Sequence, residues 1–450
     1  HSTIKNEKIF YEIFEGLMCL QHRGQDSVGI SNEECVRKYD GLVKYAFQHE
    51  NLDSQPCQNY MGHVRYGTNG LTNNIQPLYT IFPRRISLCH NGNITNTQEV
   101  KDIIYNSYRI LLDTQSDSEI ILSLFSCKLY ELLNKNGNEI TEDKIFIVTN
   151  FLHNVLKGSY CLIIIIKDYG MITVRDKFGI RPLIFGRKEN NFVIASESVA
   201  LDLLDYDIVR DVKAGETIIF KNKEISPIFN YYMSSSLRPC LFEYIYFARP
   251  DSIIDKINVN EARILIGKIL GEKMKQLWNC KEIDYIIPVP DTSVTFANGI
   301  QEVIKRPFRE GFIKNRYIDR TFIMKNKNII QQNIKRKLSG IKNSFKNKNV
   351  LIVDDSIVRG NTSKHLIRMI KKYGCKKIYF ASCSPIIKNT NNYGIYIPTK
   401  EELISFNRTE EEIKKELEVD YLIYNNLEPI IDGLKQLNKD IDNFEISMFL

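Results

Sequence analysis

Two adjacent acids, Asp354 and Asp355, close a run of four apolar residues (350–353, Val-Leu-Ile-Val) and open a turn, 356–363, that offers hydroxyls, one Arg and one Gly. A short apolar run bounded by polar sequence suits a strand buried on both faces of a parallel sheet. Beyond the turn, Leu366, Ile367, Met369 and Ile370 mark one face of a helix, and Gly374 supplies its stop. A strand, a turn and a helix N-terminus at the carboxyl edge of a sheet gather free N–H groups and the positive end of a helix dipole, which together favour a phosphate. The two carboxylates would repel a bare phosphate, but they can accept hydrogen bonds from the hydroxyls of a ribose whose 5-phosphate lies in the turn. Asp354 and Asp355 therefore read as a sugar clamp, and Ser356, Arg359, Gly360, Asn361, Thr362 and Ser363 as a phosphate cradle.

The elements that must carry such a site are those of a sizeable globular chain. At 450 residues it is long enough for two or three domains, and 43% hydrophobic with 26% charged residues is an ordinary balance. No apolar run approaches the length that crosses a bilayer and no signal-peptide pattern opens the sequence, so a cytoplasmic location and no membrane partner are expected. Ten cysteines are scattered without a C-x-x-C pair, which indicates neither a zinc site nor a disulfide framework. The formal charge of +7 is dispersed and forms no basic stripe beside aromatic residues, so a nucleic-acid partner is not expected either.

Along the first half, a helix is expected over residues 7–20, with Phe10, Ile13, Phe14 and Leu17 on one face. The blocks QHRGQDSVGI (21–30), GHVRYGTNG (62–70), NIQPLY (74–79), HNGNITN (90–96), TQSDSEI (114–120), GSYCLIIII (158–166), RDKFGIRPL (175–183) and ASES (195–198) then follow. In this order they resemble the glutaminase domain of class II glutamine amidotransferases, which are N-terminal-nucleophile hydrolases. The resemblance implies an αββα sandwich over residues 1–225, with strands such as MITVRD and NFVIAS expected to alternate. It also implies roles: Arg65 for the α-carboxylate of glutamine, Asp117 for its α-ammonium, Arg23 and Tyr66 to shape the pocket, and Asn91 with Gly92 as the oxyanion hole. The family's nucleophile is an amino-terminal cysteine whose own amine is the base. This sequence opens with His1, and the expectation is a fragment that starts just after that cysteine. The chain as given should then not hydrolyse glutamine.

Residues 221–239 read as the connection between the halves. The second half, 226–450, carries CLFEYIYFARPDS (240–252), a helix around 261–278, a second buried strand ending in an acid (IDYIIPVPD, 283–291), and KNRYIDRTFI (314–323) before the acid pair. The acid-pair block resembles the phosphoribosyl pyrophosphate (PRPP) loop of type I phosphoribosyltransferases, which implies a mostly parallel sheet followed by C-terminal helices. It also implies a Mg²⁺ associated with Ser293, Asp354 and Asp355, and Lys314 and Arg316 on the pyrophosphate. Together the halves resemble a family that pairs such a glutaminase with a PRPP-using transferase. That resemblance implies transfer of ammonia from glutamine to C1 of PRPP, giving phosphoribosylamine, pyrophosphate and glutamate at the first step of purine synthesis. FEYIYFARP would line the ammonia route, purine nucleotides would be feedback inhibitors, and the protein would be a homo-oligomer. Gly67, Asp319 and Tyr396 depart from the family's usual residues. Some members hold an iron-sulfur cluster, but beyond Cys240 the ligand positions lack cysteines and no cysteine follows Cys383, so no cluster is expected. The alternatives are an ammonia-dependent transferase with an inactive glutaminase half, and a PRPP-sensing regulator.

Overall fold

The computed structural model describes residues 1–2, 9–47, 57–66, 74–222, 224–315, 338–395 and 399–450. In the first half the apolar runs become strands β1 (Ser27–Asn32), β2 (Val36–Asp40), β3 (Tyr60–Arg65), β4 (Leu78–Thr80), β5 (Ile86–Ile94), β6 (Gly158–Ile166), β7 (Gly170–Arg175), β8 (Ile184–Lys188), β9 (Asn191–Ala195), β10 (Asp207–Asp211), β11 (Glu216–Lys221) and β12 (Ile228–Tyr231). One sheet runs β12-β11-β7-β6-β5-β4, and two three-stranded sheets run β2-β1-β3 and β10-β8-β9. Met61, Phe185 and Phe192 of the small sheets pack against Cys89, Ile165, Met171 and Phe220 of the large one, which makes the inner layer of a sandwich. Helices Thr97–Tyr108, Asp117–Lys135 and Glu142–Val155 cover the other face of the large sheet. Helix Ile9–Cys19 covers the outer face of β1 and β3, with Phe10 and Leu17 buried and Ile13 and Phe14 packed alongside.

This is the αββα arrangement, and it explains why the expected alternation fails in β7. All six residues of Gly170–Arg175 are buried, because helices meet one face of the strand and the second sheet layer meets the other. Residues 1 and 2 join the two small sheets. Ser2 bridges to Asn191 and donates its N–H to the Gln58 carbonyl at 2.8 Å, while His1 exchanges backbone hydrogen bonds with Phe192.

In the second half, β15 (Tyr285–Pro288), β18 (Asn349–Asp354), β19 (Lys377–Ser382) and β20 (Tyr421–Tyr424) form a parallel sheet in that order. Two small antiparallel pairs lie outside it, β13 (Ile253–Ile254) with β14 (Ile257–Asn258) and β16 (Phe312–Lys314) with β17 (Leu338–Gly340). The four apolar residues of 350–353 are wholly buried, each worth about 1.5–3 kcal/mol over exposure. Helix Asn361–Lys372 buries Leu366, Ile367 and Ile370, with Met369 packed at the margin of the same core.

The connection between the halves begins later than expected. Ile228–Tyr231 pairs with β11 as an edge strand of the first-half sheet, with Phe229 and Tyr231 turned outward, so the 225/226 boundary cuts through the end of that sheet.

Candidate functional site

In the parallel sheet β15 and β18 are neighbours, so their carboxyl ends lie at one edge. The Val289 N–H donates to the Val353 carbonyl at 2.8 Å, which brings the turn before helix Ser293–Ile304 against the acid pair. Burial, with Asp355 alongside, pushes the Asp354 carboxyl well above its ordinary value. Burial likewise pushes Asp355 up to about 6, against the stabilising Ser356 hydroxyl and the Arg263 guanidinium. Ser356 Oγ donates to Asp355 Oδ1 at 2.7 Å, and the Asp355 N–H donates to Asp354 Oδ1 at 3.1 Å. The Ser293 hydroxyl is fully buried and close enough to favour ionised Asp354, yet it makes no hydrogen bond of good geometry.

Such a set fits a divalent cation. Two acids held off ionisation by burial and by each other gain most from a positive charge, and the Ser293 oxygen is unused. Among the described residues no group of three or more His, Cys, Asp or Glu could hold a metal ion. A cation here would therefore draw further oxygens from substrate and water, as Mg²⁺ commonly does.

The cradle lies directly beyond. Helix Asn361–Lys372 starts at Gly360, the Lys364 N–H already bonds the Gly360 carbonyl, and the N–H groups of Asn361, Thr362 and Ser363 lie in the first turn, where an α-helix offers no partner. Arg359 is paired with Glu402 at 2.5 Å and Lys314 with Asp291 at 2.6 Å. All four side chains are substantially exposed, so both pairs are cheap to break when an anion arrives. Asp291 was legible as the acid after a buried strand, but its pairing with Lys314 was not. Arg316 lies outside the described residues, as do Gly67, Asp319 and Tyr396.

In the first half, Asn91 and Gly92 sit on β5 opposite Cys161 and Tyr160 of β6. A side chain cannot replace the hydrogen of Gly92: a Cβ there would stand 2.1 Å from the Ser159 carbonyl oxygen, and φ is +151°. The Asn91 amide donates to Ser196 Oγ at 3.3 Å, a long bond that leaves the group available. Asp117 lies in the first turn of its helix and accepts the Ile94 N–H at 3.2 Å. Burial opposes its ionisation, but His90, 3.6 Å away, and the Ile94 and Ser118 N–H groups outweigh that and hold the carboxyl below its usual range. Arg65 closes β3, and burial lowers its pKa against the pull of Asp117 and Asp26. Arg65 and Asp117 are near enough to act on each other, and a guanidinium with a carboxylate is the charge pair that an α-amino acid would need. Tyr66 follows Arg65 directly and is half-buried.

Sequence reasoning gave His90 no role, though it lies inside a block it singled out. Its Nε2 reaches the Ser159 carbonyl at 3.3 Å beneath Gly92, and the Gln76 side-chain amide pairs with its backbone in both directions.

Arg23, expected to shape the glutamine pocket, is also a junction residue. Its guanidinium is buried and committed to carboxylates, Nε to Glu197 and Nη2 to Glu243 at 2.7 Å. Glu197, of the ASES block, also receives His22 Nε2 at 2.5 Å, the Arg249 N–H at 2.9 Å and Ser252 Oγ at 2.5 Å. Glu243 is shared with Arg181 at 3.1 Å, and Arg175 of the RDKFGIRPL block grips Asp255 with two bonds of 2.8 and 2.9 Å. The Glu243 and Asp255 pairs, and the Arg249 and Ser252 bonds to Glu197, join the first half to the second, and each buried charge has its counter-charge. From Glu243 the π-helical turn Glu243–Phe247 leads to Arg263, which donates to the Tyr244 and Ala248 carbonyls at 2.9 and 2.7 Å and lies close enough to Asp355 to favour its ionised form.

Comparison with known proteins covers both halves. Residues 63–203 match the glutamine amidotransferase domain family and residues 258–389 the phosphoribosyl transferase domain family. The amidophosphoribosyltransferase of Escherichia coli K12 is 41% identical over 451 residues, spanning 97% of this chain and 88% of that one. A solved glutamine PRPP amidotransferase from B. subtilis, complexed with ADP and GMP, superposes with a TM-score of 0.82 at 33% identity, over 96% of this chain and 91% of that one. A structure described as the allosteric regulatory enzyme of purine biosynthesis superposes with a TM-score of 0.84 at 33% identity, over 97% and 91%.

Proposed function

The chain belongs to the amidophosphoribosyltransferase family, and from that premise we propose how its residues divide the work. It is an enzyme that transfers ammonia from glutamine to C1 of PRPP, giving phosphoribosylamine, pyrophosphate and glutamate at the first step of purine synthesis. What carries the division of labour is the coexistence of two chemically opposite sites in one chain, a zwitterion pocket at Arg65 and Asp117 and a buried acid pair at a sheet edge.

On the glutamine side, Arg65 and Asp117 hold the α-carboxylate and α-ammonium, and Tyr66 closes the pocket wall. The Asn91 amide and the Gly92 N–H receive the carboxamide oxygen as it becomes negative. In the family the attacking thiol is that of an amino-terminal cysteine, whose own free amine takes the proton. On the PRPP side, Asp354 and Asp355 accept the ribose hydroxyls, residues 359–363 with Ser356 bind the 5-phosphate, and Lys314 and Arg316 hold the pyrophosphate. Ser293, Asp354 and Asp355 would hold a Mg²⁺ shared with substrate oxygens, which would supply charge neutralisation for the leaving pyrophosphate. Between the sites, the buried residues Glu243, Tyr244 and Ile245 exclude water from the path of neutral ammonia.

Purine nucleotides are proposed as feedback ligands, on the strength of the relative solved with ADP and GMP, and a homo-oligomer as the working assembly. The chain is also proposed to carry no iron-sulfur cluster: Cys240 is wholly buried beside Glu445, which accepts from Asn391 at 3.2 Å, and an amide and a carboxylate are not the thiolates a cluster takes.

The test measures pyrophosphate release from PRPP with glutamine and with ammonium, in the polypeptide starting at His1 and in the same polypeptide preceded by a Cys-Gly strand with a free amine. Ammonium should serve both, and glutamine only the second. Replacing that cysteine by Ser should abolish the glutamine rate. A glutamine rate from the His1 polypeptide would refute the thiol assignment, and no release with either donor would favour a PRPP-sensing protein.

A further inference from the structure

A turn of the transferase half rests on the oxyanion strand of the glutaminase half. The Asn93 amide donates to the Asn392 carbonyl at 2.9 Å, and Ser159 Oγ donates to the Tyr393 carbonyl at 2.9 Å while accepting the Asn93 N–H at 3.2 Å. Gly394, at φ +103°, lies flat against Gly92: a Cβ added to it would meet the Gly92 carbonyl carbon and oxygen at 3.3 Å. The turn is itself braced. Asn391 Oδ1 accepts the Tyr393 and Ile395 N–H groups at 2.7 and 3.3 Å, its amide donates to Glu445, and Ile395 is anchored in the transferase core. At its other end the same segment begins at the acid pair, where the Cys383 and Ser384 N–H groups donate to the Asp354 and Asp355 carbonyls at 2.9 and 2.8 Å.

We infer that the turn 391–394 is a positioning element for the glutamine reaction: by packing on the Gly92 carbonyl and tying down Asn93 and Ser159, it fixes the Gly92–Asn93 peptide, the link directly after the Gly92 N–H that receives the developing oxyanion, and so holds that donor in place. The residues of the turn touch no reacting atom. The inference rests on the assignment of Asn91 and Gly92 as the oxyanion hole. Both positions suit glycine for separate reasons: at Gly92 the Ser159 carbonyl leaves no room for a side chain, and at Gly394 the φ of +103° is one that L side chains rarely adopt.

The experiment uses the full chain preceded by the Cys-Gly strand and compares Gly394→Ala and Asn93→Ala with the parent. Gly394→Ala strains the φ of +103° and crowds the Gly92 carbonyl, and Asn93→Ala cuts a tether without adding bulk. For each variant kcat with glutamine should fall about tenfold or more, a part of what losing a whole oxyanion donor costs. The KM for glutamine and the ammonium-dependent rate should hold within about twofold. The double variant should lose less than the product of the two, since both act on one link. Unchanged glutamine kcat in Asn93→Ala would overturn the inference, and so would equal loss of the glutamine and ammonium rates in either variant. Should Gly394→Ala not fold, Asn93→Ala decides alone. A parent with ammonium activity but no glutamine activity would instead show that the glutamine assignment had failed, and this inference with it.

Discussion

At the proposed glutamine pocket Asp117 is held below the usual carboxylate range, whereas at the proposed PRPP edge Asp354 and Asp355 are pushed above it. Asp354 is buried and Asp117 and Asp355 are partly so, and desolvation opposes ionisation of all three, so burial alone does not separate them. Asp117 has a helix N-terminus, two backbone N–H groups and His90 around it, and a glutamine ammonium would add to an already satisfied carboxylate. The acid pair has each other, and it is satisfied only when hydroxyl donors and a cation arrive with the substrate. The first arrangement is rigid and ready without ligand. The second spends folding stability on a site that substrate and metal complete.

The junction between these regions offers the largest perturbation. Removing the Glu197 carboxylate with Ala leaves Arg23 buried with Glu243 alone among its two acid partners and takes the acceptor from His22 Nε2, the Arg249 N–H and Ser252 Oγ. Stability should fall by about 3–5 kcal/mol, as when one partner of a buried ion pair is deleted. Chemical denaturation should show the two halves unfolding separately where the parent unfolds together.

Next in size, Asp354→Ala with Asp355→Ala should weaken PRPP binding in Mg²⁺ by about a hundredfold or more, since several charge-assisted contacts go at once. Calorimetry checks this, and glutamine affinity is the control that must not move. Unchanged PRPP affinity would end the sugar-clamp assignment.

A smaller effect distinguishes the sites by pH. Protons compete with Mg²⁺–PRPP at Asp355, whose carboxyl lies at about 6, and at Asp354, which lies higher than its ordinary value. Corrected for the ligand's own titration, PRPP affinity should climb through pH 6. Glutamine affinity should stay level from about pH 5 to about pH 8, because Asp117 is already ionised below its ordinary range and the glutamine ammonium keeps its proton there.

How far the sequence discloses this contrast depends on separation along the chain. The acid pair is contiguous and stands at the end of an apolar run, so strand, turn and helix are legible together. Asn91 and Gly92 are legible as a motif, but His90 beneath them takes its meaning from Ser159, 69 positions away. Arg23 shows the limit. Its local block is a plausible pocket turn, but its partners lie 174 and 220 positions downstream and make it a junction residue. The docking of Asn392 on Asn93 spans 299 positions and leaves no local trace. The misread connection has another cause: Lys, Asn and Pro around Ile228–Tyr231 suit an exposed edge strand as well as a linker, and only pairing with β11 separates them.

The most direct measurement of the contrast is thermal unfolding, at pH 7 without ligands, of Asp354→Asn with Asp355→Asn and, separately, of Asp117→Asn. The sign follows from linkage: a carboxyl raised by folding makes the folded state less stable as pH rises from about 4 through 6, whereas one lowered by folding stabilises above its ordinary pKa. Removing the charge from the acid pair should therefore stabilise the folded chain, by on the order of 1–3 kcal/mol, and raise its melting temperature. Removing it from Asp117 should lower the melting temperature. Shifts of the same sign in the two variants would contradict the account.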